Sequence, residues 1–375
     1  MTHENRALRG SNRILGSIHP HAATMCRRSL VVALTVATIA WGSAGIAQTG
    51  TTLPAGGMVF TADEYSNSLS RIDLSSGDVT TVPATIVPHN VQISPDGSLL
   101  LAVGMAASND EGHGEEQSHG AMAGMEGGGE LVLFDPKDLA AGPMARIPVG
   151  MHPAHVITDI DGKRAFVTNA ADDTLSVIDL ASREVIASVA TGDYPHGQRT
   201  SPDGRVIWVA NVNSGNVSVI DTGTLKEVAR IDVGATPVQV GFLPDGSRAY
   251  VSLRDENSVA VVDTNAQKVI ATVKVGRGPI QLYATPDGRF VYVANQGTEA
   301  DPDDTVSVID VATNSVTATI PTGRGAHGVT VSSDGRNVFV TNMFNGTVSV
   351  IDVASQAVLA NIPVGEGASG ITYRP

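Results

Sequence analysis

The chain contains a single cysteine in 375 residues, Cys26, and that one falls in a segment that reads as a removable leader. No disulfide, thiolate metal site or cysteine nucleophile is then available. Positive charge is also scarce, with 24 Lys and Arg against 38 Asp and Glu. Such a surface repels nucleic acid and anionic lipid, so nucleic-acid binding is set aside as a function. There is no Ser-His-Asp spacing, no Gly-rich phosphate loop and no Cys-x-x-Cys-His haem attachment run. Apolar residues at helical spacing are almost absent after the leader, which excludes a helical fold.

The leader itself is legible. Arg27 and Arg28 precede an apolar run, Leu30 to Trp41, followed by small residues ending at Gly45, Ile46 and Ala47. A basic start, a short apolar stretch and a small-residue cleavage site describe a secretory signal peptide, and the run is short for a membrane span. Residues 1–47 are therefore expected to be a signal peptide, with Met25 a candidate initiator and 48–57 a short linker. The mature protein is expected in the periplasm or outside the cell, with no membrane span. Removal of the leader takes five arginines and one acid, leaving a net charge near −18.

What remains is repetitive. "AFVTNAADDTLSVIDLASREVIASVATGDYP" from Ala165 is matched by "IWVANVNSGNVSVIDTGTLKEVARIDVGATP" from Ile207, and further units start at Ala249, Val291 and Val338. The first four starts are 42 residues apart. Two more units lie upstream, from Met58 and Leu99, which makes seven. Each holds four short runs of Val, Ile and Thr separated by turn residues. Pro-Asp-Gly-type turns recur with Asp96, Asp161, Asp203, Asp245, Asp287 and Asp334, and "VID" turns with Asp179, Asp221, Asp310 and Asp352. These carboxylates are turn formers. Four strands at this period predict an all-β fold, a seven-bladed β-propeller over residues 58–375. The first unit lacks an innermost strand, and the orphan run from Ala368 is expected to supply it and close the ring.

The "VYVAN…TVSVIDVAT…VIATIPVG" units resemble the YVTN family of propeller repeats over nearly all of the chain after Met58. Related seven-bladed propellers include archaeal surface-layer modules, the propeller of nitrous-oxide reductase and bacterial periplasmic proteins, with the eight-bladed haem d1 domain of cytochrome cd1 nitrite reductase a more distant relative. The resemblance implies a closed propeller. It also implies a ligand site at the channel mouth, because the nitrous-oxide reductase propeller builds a copper cluster from histidines there. The cupredoxin domain of that enzyme is missing, so nitrous-oxide reduction is not expected.

The repeat places every histidine after the leader. His89, His152, His155, His196 and His327 stand at the entry to innermost strands, on blades two, three, four and seven. The equivalent places on blades five and six hold Val238-Gln239 and Ile280-Gln281. His113 and His119 lie in a Gly-rich insert of blade two, residues 105–129, with Met122 and Met125. All seven fall on one face. Imidazoles converging on an axis suit copper, zinc or iron, and the addition of thioethers without cysteine favours copper. The insert is then a candidate capture flap, with Met105 a further donor. The opposing expectations are histidines that merely hydrogen-bond a neighbouring blade and an insert that is a solvated loop.

Arg199, Arg254, Arg277 and Arg324 are expected on the same face, as holders of an anionic substrate or carboxylated cofactor or as surface ion pairs. The acidic stretch Thr298 to Thr305 could take a hard cation such as calcium through Asp301, Asp303 and Asp304, or be a solvated loop. The leading expectation is a monomeric, exported propeller that binds a transition metal. The alternatives are a scaffold for a periplasmic or cell-surface protein, a lactonase-type hydrolase using a divalent cation, and a binder of a d1-type tetrapyrrole.

Overall fold

The computed structural model describes residues 56–107 and 128–375. Among these residues, 28 strands form seven four-stranded antiparallel sheets. Each sheet is one blade of a propeller. No helix among the described residues is long and apolar enough to cross a membrane. The leader and residues 108–127, and with them His113, His119, Met122 and Met125, lie outside the described residues.

The ring closes as the repeat requires. Ala368–Arg374 is the innermost strand of blade one and pairs antiparallel with Met58–Asp63, Met58 opposite Arg374 and Phe60 opposite Thr372. Strands from the two ends of the described chain thus share one sheet, which leaves the inner ring no open edge. Apolar residues on facing sheets pack between blades. Phe60 and Leu69 of blade one, for example, bury against Val91, Leu100 and Val132 of blade two.

The motif residues have mechanical roles. In blade four, Asn211 at the end of the second strand donates to Asn216 Oδ1 and Ser218 Oγ in the third, and Asn342 repeats this in blade seven with Thr347 and Ser349. That explains the recurrent "VAN" and "VTN". The "SPDG" turns are held by Asp side chains: Asp203 accepts from Ser201 Oγ and the Arg205 amide. In blade three this work falls to Asp159, which accepts the Lys163 amide, while Asp161 is exposed and pairs with Lys163 Nζ.

Two features prepare the channel mouth. All seven innermost strands show a register shift against their second strand just after entry, as between Pro88 and Asn90, between Pro195 and Gln198, or in blade one between Ala368 and Ile371. A bulge of this kind turns side chains out of the regular pleat. The corner before the strand takes a left-handed residue: His152, Tyr194, Thr236, Gly278, Gly325 and Gly367, with φ between 51° and 74°. The carbonyl of each accepts the amide that follows the second strand, from Ala170, Val212, Arg254, Gln296, Met343 and Glu64 respectively.

Candidate metal centre

Counted from the equivalent residues Pro88, Pro195, Ala326 and Pro153 of the innermost strands, His89, His196 and His327 hold the second position and His155 the third. Bulged entries on neighbouring blades bring them together. The rings of His89 and His196 are 5.3 Å apart between centroids, His155 and His196 5.0 Å, and His89 and His155 6.1 Å. One nitrogen from each of His89, His155 and His196 lies within 4.8 Å of the others. His327 is next to this trio, its ring 6.2 Å from that of His89, but outside the group of three. Glycine at the third position makes room: a Cβ on Gly197 would stand 2.3 Å from Val238 O, and one on Gly328 2.4 Å from Ser369 O.

The hydrogen bonds fix the tautomers. His89 Nδ1 meets Glu64 Oε2 at 3.1 Å, His196 Nδ1 meets Val238 O at 3.3 Å, and His327 Nδ1 meets Ser369 O at 3.2 Å. Carboxylate and carbonyl oxygens only accept, so each Nδ1 carries the hydrogen. His89 Nε2 and His196 Nε2 face each other at 3.3 Å. With both Nδ1 atoms protonated, that contact sets two lone pairs against each other unless a cation, proton or metal, lies between them. Two imidazole nitrogens bound to one ion at about 2.05 Å and a tetrahedral angle stand roughly 3.3 Å apart. The geometry fits either occupant.

His155 is held differently. Gln239 Nε2 is 3.5 Å from its Nδ1, at the outer limit of a hydrogen bond. Burial above all, then His89, His327 and Arg199, pushes its pKa well below the ordinary imidazole value. The ring is therefore neutral at pH 7, the state a metal ligand requires.

Glu64 is the residue that sequence reasoning missed. It follows the second strand of blade one, in the column occupied by Ala170, Val212, Arg254, Gln296 and Met343 in other blades. From there it reaches His89 of the next blade, the two side chains only 11% and 7% exposed. A carboxylate on the far nitrogen of a ligand histidine orients the ring and raises its basicity. A comparison of that column across the repeats would have singled out the one acid in it. Met105 stands there in blade two, buried and paired with Val87 just before His89, and Met343 in blade seven is also buried.

The remaining predicted residues lie apart from the cluster. His152 does not join the cluster: its φ of 51° makes it the left-handed corner before the strand, and only its backbone engages Ala170. Arg254 and Arg277 do lie in loops of the histidine face, but they pair with Asp255 and with Asp301 and Asp303. Asp303 also accepts the Arg277 and Thr305 amides, so the acidic loop is organised around Arg277. The Arg324 amide donates to Asn345 Oδ1 in a loop of the same face. Arg199 is not on that face; it stands at the fifth position of its strand, inside the channel beyond His155.

Residues 139–371 match the model of the YNCE-like β-propellers. The chain belongs to that family. No curated protein matches it in sequence at a significant level. Among solved structures, hydrazine synthase of Kuenenia stuttgartiensis is similar at 22% identity and a TM-score of 0.62, over 76% of this chain and 88% of the other. A proposed 6-phosphogluconolactonase of Bacteroides uniformis is similar at 16% identity and a TM-score of 0.66, over 85% and 100%. Dihydro-heme d1 dehydrogenase NirN, solved in complex with DHE, is similar at 16% identity and 0.59, over 85% and 75%. For this YNCE-like propeller, such identities establish the fold and no ligand.

Proposed function

We propose that this YNCE-like propeller is an exported binding protein that holds one transition-metal ion, copper before zinc or iron, between His89, His155 and His196. The observation that carries the proposal is the 3.3 Å approach of His89 Nε2 and His196 Nε2, with both Nδ1 atoms held by acceptors. Glu64 and the Val238 carbonyl orient the rings, and His155 supplies a neutral third nitrogen from the channel side. Copper ranks first because imidazole suits both of its common states and the chain's methionines offer soft donors suited to Cu(I). Export rests on the leader and fits periplasmic metal handling.

The test is metal analysis of protein purified from the periplasm without chelators, followed by copper titration of the stripped protein. One equivalent is expected to be retained or bound, and His89→Ala and His196→Ala should each abolish it. No retained metal and no stoichiometric uptake would overturn the proposal and leave a proton shared between the two rings.

A further inference from the structure

Beyond His155 the channel holds a cavity of about 250 Å³ lined as far as Pro286 and Ser332 in turns of the opposite face. That volume is worth roughly eight water molecules. No Asp or Glu side chain lines it; Arg199 and the last residue, Pro375, do. The Arg199 guanidinium lies 4.9 Å over the ring of Tyr283, two blades along. Gly241 has the same strand position on the blade between and presents no side chain to separate them.

Half of the described arginines are paired with a carboxylate, and Arg199 is not among them. Arg146, Arg164, Arg230 and Arg277 each face a carboxylate. Among the described residues no carboxylate, the terminal one at Pro375 included, lies within ion-pair distance of Arg199. A second group in the cavity wall is also unsatisfied. Gln281 is 4% exposed; its Oε1 accepts the Val329 amide at 3.4 Å, while its Nε2 has no hydrogen-bond partner. Native proteins seldom leave a buried amide donor unmade. The unneutralised cation and the unused Gln281 donor call for an anionic acceptor, and the unused Gln198 Oε1 in the same wall for a donor such as a hydroxyl on that anion.

The charge count selects its class. One guanidinium balances one negative charge, and its planar fork matches a carboxylate through two parallel bonds. A phosphate dianion would leave net negative charge in a channel that offers a single cation.

We propose that this cavity binds a small monocarboxylate of two to four carbons, its carboxylate held by the Arg199 guanidinium and the Gln281 amide. The site is separate from the imidazole cluster, with His155 as the wall between them, and it does not rest on the metal reading.

Calorimetry on the chelator-treated full chain tests it, with lactate as probe and lactamide as its neutral counterpart. Trp208 sits directly across the strand pair from Arg199 and gives a second, fluorescence readout. Lactate is expected to bind at least tenfold more tightly than lactamide. Arg199→Gln should lower lactate affinity tenfold or more, and Arg199→Lys, which keeps the charge without the fork, should lower it less. Arg146→Gln, on an outer strand, should leave it unchanged. Thermal melting checks that each variant folds, and the Lys variant decides the matter if the Gln variant does not. Failure of both lactate and acetate to bind, equal binding of lactamide, wild-type affinity in a folded Arg199 variant, or tighter binding of inorganic phosphate would each overturn the inference.

Discussion

Replacing Glu64 by Gln changes one charge and almost no volume. The amide oxygen can still accept from His89 Nδ1, so the ring keeps its place, but the bond is no longer charge-assisted and weakens by about half. Little solvent screens the loss, since the two side chains are 11% and 7% exposed and their contact is 3.1 Å. His89 becomes a weaker base at Nε2, the nitrogen turned toward His196. Substitutions of such outer partners typically lower metal affinity about 10- to 100-fold, equivalent to about 1.4–2.7 kcal/mol. Copper titration of stripped protein at pH 7 against a chromogenic chelator would measure the change. Glu130→Gln is the control, because Glu130 pairs with Arg146 far from the mouth. If Glu64→Gln binds copper within twofold of the wild type, the claim that the Glu64 carboxylate strengthens His89 Nε2 as a donor is refuted.

Two further outcomes follow from the blade architecture. Asp63 stands where blades three, four, six and seven carry asparagine, and burial raises its pKa against hydrogen bonds from Ser70, Thr61 and Ser68. Because the folded value lies above 3.8, its contribution to stability is full below that pH and is lost as pH rises toward the folded value. Asp63→Asn should therefore stabilise the protein at pH 7 by about 0.5–2 kcal/mol, with the gain shrinking toward pH 4. Denaturant unfolding at both pH values checks this, and a gain independent of pH would contradict it. Gly104→Ala should cost about 1–3 kcal/mol, since a Cβ there would stand 1.9 Å from Val87 O in the strand that carries His89. Unfolding midpoints would show it, and a loss under about 0.5 kcal/mol, the range of an innocuous surface change, would mean the strand pair yields easily.

Much was legible in the sequence because it is local and repeated. Each blade forms from runs of Val and Ile, a "VAN" asparagine, an Asp-Gly turn and a "VID" turn, all acting within one repeat of about forty residues. Seven blades, ring closure by Ala368–Arg374, and the gathering of histidines at one face follow from counting such units. The site was only half legible. Four of the five channel-mouth histidines meet, whereas His152 is spent on a left-handed corner that three other blades assign to glycine.

What the sequence determined by itself was the fold and the face, since strand, turn and period are fixed by residues close along the chain. Only the tertiary structure decided that Glu64 serves His89, that two Nε2 atoms stand 3.3 Å apart, and that Arg199 crosses Gly241 to stack on Tyr283. These are contacts between different blades. They depend on the bulge at each strand entry and on the rotation of one sheet against the next, and no single repeat encodes either.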